Sequence, residues 1–147
     1  MLRGNHPTRI DDKGRLKVPN AFRTLLEGQH GAELFVTSVT GEHVRIYPMP
    51  VWVEIEKKLA AAPSASPSKQ RFLDRVNFFG QVTEIDREGR ILIPQLLRET
   101  AAMTGEVSVL GLQNHLAVWN QERLVERLFK KEPFTEEDGR ALAELGI

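Results

Sequence analysis

Ile10-Asp11-Asp12-Lys13-Gly14-Arg15-Leu16-Lys17-Val18-Pro19 returns 75 residues later as Ile85-Asp86-Arg87-Glu88-Gly89-Arg90-Ile91-Leu92-Ile93-Pro94. The first Asp, the Gly, the Arg and the Pro recur unchanged, Arg23 returns as Arg98, and apolar Leu16, Val18 and Phe22 return as Ile91, Ile93 and Leu97. The echo continues with small gaps. Glu33-Leu34-Phe35-Val36 matches Glu106-Val107-Ser108-Val109, and His43-Val44-Arg45-Ile46-Tyr47 matches His115-Leu116-Ala117-Val118-Trp119. Two copies make a pair of like units, because a solenoid needs at least about three.

Each copy carries the same order of local signals. Asp11 and Asp86 can bond backbone two residues on, and Gly14 and Gly89 accept a positive φ, so Asp-x-x-Gly-Arg reads as a tight turn after a strand. Alternating Leu16/Val18 and Ile91/Ile93 then mark a second strand with one buried face. Pro19 and Pro94 suit the first turn of a short helix. A hairpin follows, Leu34 to Val39 with Val44 to Tyr47 in the first copy and Val107 to Leu110 with Leu116 to Trp119 in the second. A helix closes each unit: about Pro50 to Ala61 with Trp52, Ile55 and Leu59 on one stripe, and a second after the cap Asn120 with Leu124, Val125 and Leu128 inward. Thr135-Glu136-Glu137-Asp138 resembles a capping box, which predicts a last short helix ending near Leu145. The division expected is a first unit over 1–60, a Pro/Ala/Ser-rich connection over 61–68 and a second unit over 69–147, opening on a short helix from Lys69 to Val76.

The 147 residues are 41% apolar and 27% charged, enough for a real core. There is no cysteine, so disulfides and thiolate metal sites are excluded and a reducing cytoplasm is the simplest location. The start of the chain has no apolar signal region and no run of about 18 apolar residues occurs, so neither secretion nor a membrane is expected. Twenty basic and twenty acidic groups cancel. Their positions do not: residues 1–24 hold six basic against two acidic side chains and residues 69–98 six against four. A local cationic surface is what a counterion-releasing contact with nucleic acid requires.

The repeated polar residues have a structural and a functional reading. Asp11 and Asp86 can shape the turns, each paired with the Arg four positions on. Arg15 and Arg90, on strands beside exposed turns, can project a planar guanidinium toward phosphate or the O6/N7 edge of guanine, and β-ribbons do enter DNA grooves. An aspartic-protease-like dyad fits poorly, because a neighbouring guanidinium holds a carboxylate ionised. His6, His30, His43 and His115 show no ligand spacing, and His43 and His115 read as packing or turn residues; no phosphate-binding or nucleophile motif occurs. No cofactor and no small-molecule substrate are expected, and the chain does not read as an enzyme. Trp52 and Trp119 read as core. Arg123, Arg127, Lys130 and Lys131, interleaved with Glu122, Glu126 and Glu132, read as i,i+4 pairs on a solvated helix.

Met1-Leu2-Arg3-Gly4, Asp11 to Pro19, Arg23, Phe78-Phe79-Gly80, Asp86 to Pro94 and Leu97-Arg98 together resemble the MraZ family over most of the chain. The resemblance implies an α+β, mainly β fold: two tandem swapped-hairpin units of AbrB/SpoVT type forming a pseudo-dimeric β-barrel with short flanking helices. It also implies a cytoplasmic, nucleoid-associated transcriptional regulator that forms ring-shaped homo-oligomers. Its target would be direct repeats of a short G-rich box before the division and cell-wall gene cluster. By position, Arg15 is the expected DNA contact, supported by Lys13, Arg3, Arg87 and Arg90, with Asp11, Gly14, Asp86 and Gly89 shaping the turns. The sequence departs from the family at Ala117, where an acidic residue is usual. Two alternatives stand beside this: an antitoxin-like DNA binder, which needs a disordered tail to wrap its toxin, and an oligomeric scaffold that reads no DNA.

Overall fold

The computed structural model describes residues 1–29 and 31–147, so His30 lies outside the described residues. The first copy supplies β1 (Leu2–Ile10), β2 (Arg15–Lys17), α1 (Asn20–Gln29), β3 (Glu33–Thr37), β4 (Val44–Pro48) and α2 (Met49–Ala61). Helix α3 (Pro67–Phe78) leads into β5 (Gln81–Glu84), β6 (Arg90–Leu92), α4 (Gln95–Thr100), β7 (Gly105–Gln113), β8 (Leu116–Asn120) and α5 (Gln121–Glu126). A π-helical turn over Arg127–Lys131 and α6 (Glu136–Ala143) end the described chain. The predicted order of elements therefore holds in both copies.

The strands form one antiparallel sheet in the order β5-β3-β4-β8-β7-β1-β2-β6. The copies exchange strands. β1 pairs with β7 along its whole length, β5 pairs with β3, and the two centres of the arrangement are like-with-like pairs, β4 with β8 and β2 with β6. β5 and β6 meet at their own turn, where Asp86 N donates to Arg90 O at 2.9 Å, as Asp11 N donates to Arg15 O at 3.0 Å between β1 and β2. The result is a nearly closed, pseudo-dimeric barrel with short helices around it. Closure leaves little unpaired edge.

One core results from this exchange. Leu16, Val18, Phe22, Leu26, Leu34, Val36 and Ile46 of the first copy pack in one cluster with Ile91, Ile93, Leu97, Val107, Val109, Leu116 and Val118 of the second, all at most 1% exposed. Each such side chain contributes about 1.5–3 kcal/mol on burial. Phe35, Tyr47, Trp52 and Val76 form a second cluster under α2 and α3, and Trp119 and Leu124 anchor a third. Both tryptophans are core residues, 4% and 7% exposed.

Several expectations change. Val125 and Leu128 do not point inward: they are 53% and 46% exposed while Leu124 is buried. Val125 sits about 100° round the helix from Leu124, and the π-helical turn from Arg127 shifts Leu128 off the α-helical spacing. The basic run does not pair at i,i+4. Arg127 instead bridges Glu132 and Glu42, the latter across the barrel end, and Arg123 donates to Thr100 O at 2.8 Å. α3 starts earlier than expected, capped by Ser66 with Pro67 at its first turn, and so takes up the end of the predicted connection. β7 is longer than expected because β1 and β8 pair on both its sides. The last helix has the capping box read from Thr135 to Asp138, both bonds being present.

Candidate nucleic-acid interface

Local chemistry builds two matching turns. Gly14 and Gly89 sit at φ +84° and +77°, a region only glycine enters without strain. Asp11 Oδ1 accepts from Lys13 N at 3.0 Å and Arg15 N at 2.8 Å, and Asp86 Oδ1 accepts from Glu88 N and Arg90 N, each at 2.9 Å. The backbone N–H of Arg15 is the main cause that lowers the Asp11 carboxyl below 3.8, helped by Lys13 N–H and the Arg15 and Arg90 charges. Asp86 is lowered likewise, chiefly by the N–H of Arg90. A proton-sharing dyad would need one carboxyl raised; both move the other way. Asp11, Gly14, Asp86 and Gly89 thus all lie in the two turns, the aspartates as acceptors and the glycines at positive φ.

The exchange of strands then locks the turns together. Val18 N donates to Gly89 O and Ile93 N to Gly14 O, both at 2.8 Å, so each turn is held by the strand of the other copy. Arg23 reaches across to Arg87 O at 3.0 Å and also donates to Glu27 at 3.0 Å. A Cβ on Gly89 would lie 2.8 Å from the Arg23 guanidinium, and one on Gly14 would lie 2.6 Å from that of Arg98. Arg23 and Arg98 therefore brace the opposite copy's turn. The sequence held the signal, their identical recurrence, but no local spacing could show a role exerted across the barrel.

The β2–β6 ribbon between the turns is where the basic residues gather. In its register Arg15 faces Leu92, Leu16 faces Ile91 and Lys17 faces Arg90. Leu16 and Ile91 are buried, so the other four lie on the outer face. Lys17 Nζ is bonded to Glu88 O at 3.0 Å. Arg90 faces three carboxylates, Glu88 at 3.0 Å, Asp86 at 3.6 Å and Asp11 at 3.8 Å. Arg15 differs: among the described residues its guanidinium makes no hydrogen bond or ion pair, and neither do the side-chain cations of Lys13 and Arg87, both exposed. The i,i+4 Asp–Arg pairing read from the sequence holds for Asp86–Arg90 only, since Asp11 is taken by Arg90 from the other copy. Arg3 is not brought to this cluster. It sits near the far end of β1 opposite Leu112, roughly 20 Å of extended strand from Ile10.

At the other like-with-like pair, β4–β8, each histidine stacks on the opposite copy's aromatic. His43 lies 4.2 Å from Trp119 and His115 lies 4.7 Å from Tyr47, ring centre to ring centre. Burial, then the Arg45 charge, pushes both imidazoles down to about 4; His115 also acts on His43. Arg45 lies opposite Ala117 and bonds the Tyr47 hydroxyl at 3.3 Å, so no carboxylate from β8 faces it at that register. Among the described residues no group of three or more His, Asp or Glu is placed to hold a metal, and no helix is long and apolar enough to cross a membrane.

Comparison with known proteins places this geometry. A family model described as "MraZ protein, putative antitoxin-like" matches residues 1–75 and 80–145. The protein named transcriptional regulator MraZ in Acidobacterium capsulatum is 48% identical over 147 residues, the whole of both chains. Its namesake in Koribacter versatilis is 50% identical over 148 aligned positions, again the whole of both chains. That of Chromobacterium violaceum is 34% identical over 122 residues, covering 83% of this chain and 82% of its own.

Proposed function

The chain belongs to the MraZ family, and on that premise we propose that it is a transcriptional regulator that grips duplex DNA with the β2–β6 face, chiefly through Arg15. The observation that carries this reading is the unequal state of two equivalent arginines. Arg90 is neutralised by three carboxylates, whereas Arg15 stands beside exposed Lys13 and, among the described residues, has no carboxylate within ion-pair distance. A guanidinium held rigid at its backbone and left unpaired at its tip is suited to bidentate contact with guanine or phosphate. Lys13 and Arg87, on either side, add phosphate contacts. Arg90 stiffens the ribbon and reaches DNA only by giving up its carboxylates. Arg3 contributes only where the duplex runs along β1.

One such face supplies few cationic contacts, and the net charge of the chain is zero. Specific binding then rests on repetition. We take the functional form to be a ring of identical chains on direct repeats of a short G-rich box before the division and cell-wall genes, in the cytoplasm at the nucleoid. Each contact after the first is intramolecular, so affinity rises without new chemistry. The C-terminal segment is helical and capped through α6, unlike the disordered tail an antitoxin would need. An electrophoretic shift of the DNA upstream of the chain's own gene, with duplexes of decreasing box number and rising salt, tests this. Binding should fall steeply with each box removed and with salt. Equal binding to one box and several contradicts the ring reading, and no shift at all favours a scaffold.

A further inference from the structure

The outer face of the β2–β6 ribbon carries four side chains, and its pseudo-symmetry is broken in one place. The first copy has Lys17 where the second has Leu92. In the observed register the cation Lys17 stands beside Arg90, already paired, and the apolar Leu92 stands beside Arg15, the unpaired guanidinium. Leu92 is 48% exposed. Its neighbours along the strand, Ile91 and Ile93, are 1% and 0% exposed, so the core at this point is complete without it. Nothing in the barrel's own packing calls for an apolar group there. Directly opposite residues of an antiparallel pair hold their Cβ atoms about 4.5–5.5 Å apart. A base pair rises about 3.4 Å.

We infer that Leu92 is a specificity-determining residue that packs against the 5-methyl group of a thymine next to the guanine read by Arg15. This inference rests on the proposed DNA-binding face. With Arg15 at the O6/N7 edge of a guanine, the adjacent side chain on the ribbon meets the major-groove edge of the neighbouring pair. The one apolar feature displayed there is the thymine methyl. Leu92 offers that methyl an apolar partner and gives an exposed cytosine N4–H₂ no acceptor. The pairing also gives the site a direction. One end of the ribbon reads bases through Arg15 and Leu92, and the other, Lys17 and Arg90, is tied to its own chain. A fold with near two-fold symmetry thereby recognises a non-palindromic half-site.

The test uses the full chain and a synthetic duplex that the wild type shifts, with each thymine replaced in turn by deoxyuridine, which deletes only the methyl. One replacement should weaken wild-type binding about fourfold, the worth of one buried methyl group. Leu92→Ala should bind the thymine and deoxyuridine duplexes alike while keeping the wild-type melting temperature, since the side chain is outside the core. No effect of any deoxyuridine on the wild type overturns the assignment while leaving DNA binding intact. So does a methyl effect that persists in Leu92→Ala. Failure of the wild type to bind any duplex overturns the regulator reading and this inference with it.

Discussion

Gly14 shows how a single residue serves both the local turn and the pairing of copies. Its φ of +84° strains any other residue, and a methyl group there would have to displace the Arg98 side chain, 2.6 Å away. Gly14→Ala should cost about 1–3 kcal/mol through backbone strain. A double-mutant cycle with Arg98→Ala, read by denaturant unfolding, should show coupling between the two, and strict additivity would contradict the brace. The turn glycines and aspartates were legible from the sequence because their chemistry is local. Arg23 and Arg98 were legible only as a recurrence, and the capture of Asp11 by Arg90 not at all, since it depends on the opposite copy. The stacked histidines give a second prediction. Both have folded values near 4 against about 6.5 when unfolded, so between these the unfolded chain takes up more protons. Stability should be full above pH 6.5 and fall as pH drops toward 4; the lowered Asp11 and Asp86 add a further loss below 3.8. Thermal midpoints across pH should lose the upper part of this slope in a His43→Phe/His115→Phe variant. A wild-type midpoint that is flat from 6.5 to 4 would contradict the account.

At the scale of elements, β2 and β6 are only three residues each, yet they join the two copies at the pseudo-symmetry axis. Leu16 and Ile91 face each other there, 0% and 1% exposed. Leu16→Ala should cost about 2–5 kcal/mol. The thermal midpoint should fall by about 2–4 °C for each of those kcal/mol, whereas exposed Leu92→Ala should leave it unchanged. Strand and helix order could be read from periodicity because each element has its own buried face. Which strands pair could not, since alternation does not distinguish a partner in the same copy from one in the other; the exchange was implied by family resemblance alone. The inward stripe failed at Leu128 because helical spacing assumed a continuous α-helix, and a π-helical turn intervenes at Arg127; Val125, ahead of that turn, lies beside buried Leu124 on the solvent side of α5.

For the whole molecule, zero net charge and a main core shared by both copies make the barrel a neutral body in which cationic side chains gather beside the β2–β6 ribbon. The barrel was open to the sequence through the family resemblance, and its two like units through the duplication. The proposed DNA-contacting corner was less so: charge counts credit Arg15 and Arg90 equally, and only the three-dimensional placement of Asp11, Asp86 and Glu88 separates them. On the proposed reading, that separation makes the DNA contact directional and centres it on Arg15. The most direct test is fluorescence anisotropy of the upstream duplex with the wild type, Arg15→Ala and Arg90→Ala, each shown by circular dichroism to be folded. Arg15→Ala is expected to lose about 1–3 kcal/mol of specific binding, more than Arg90→Ala loses. Folded Arg15→Ala binding as tightly as the wild type would contradict it.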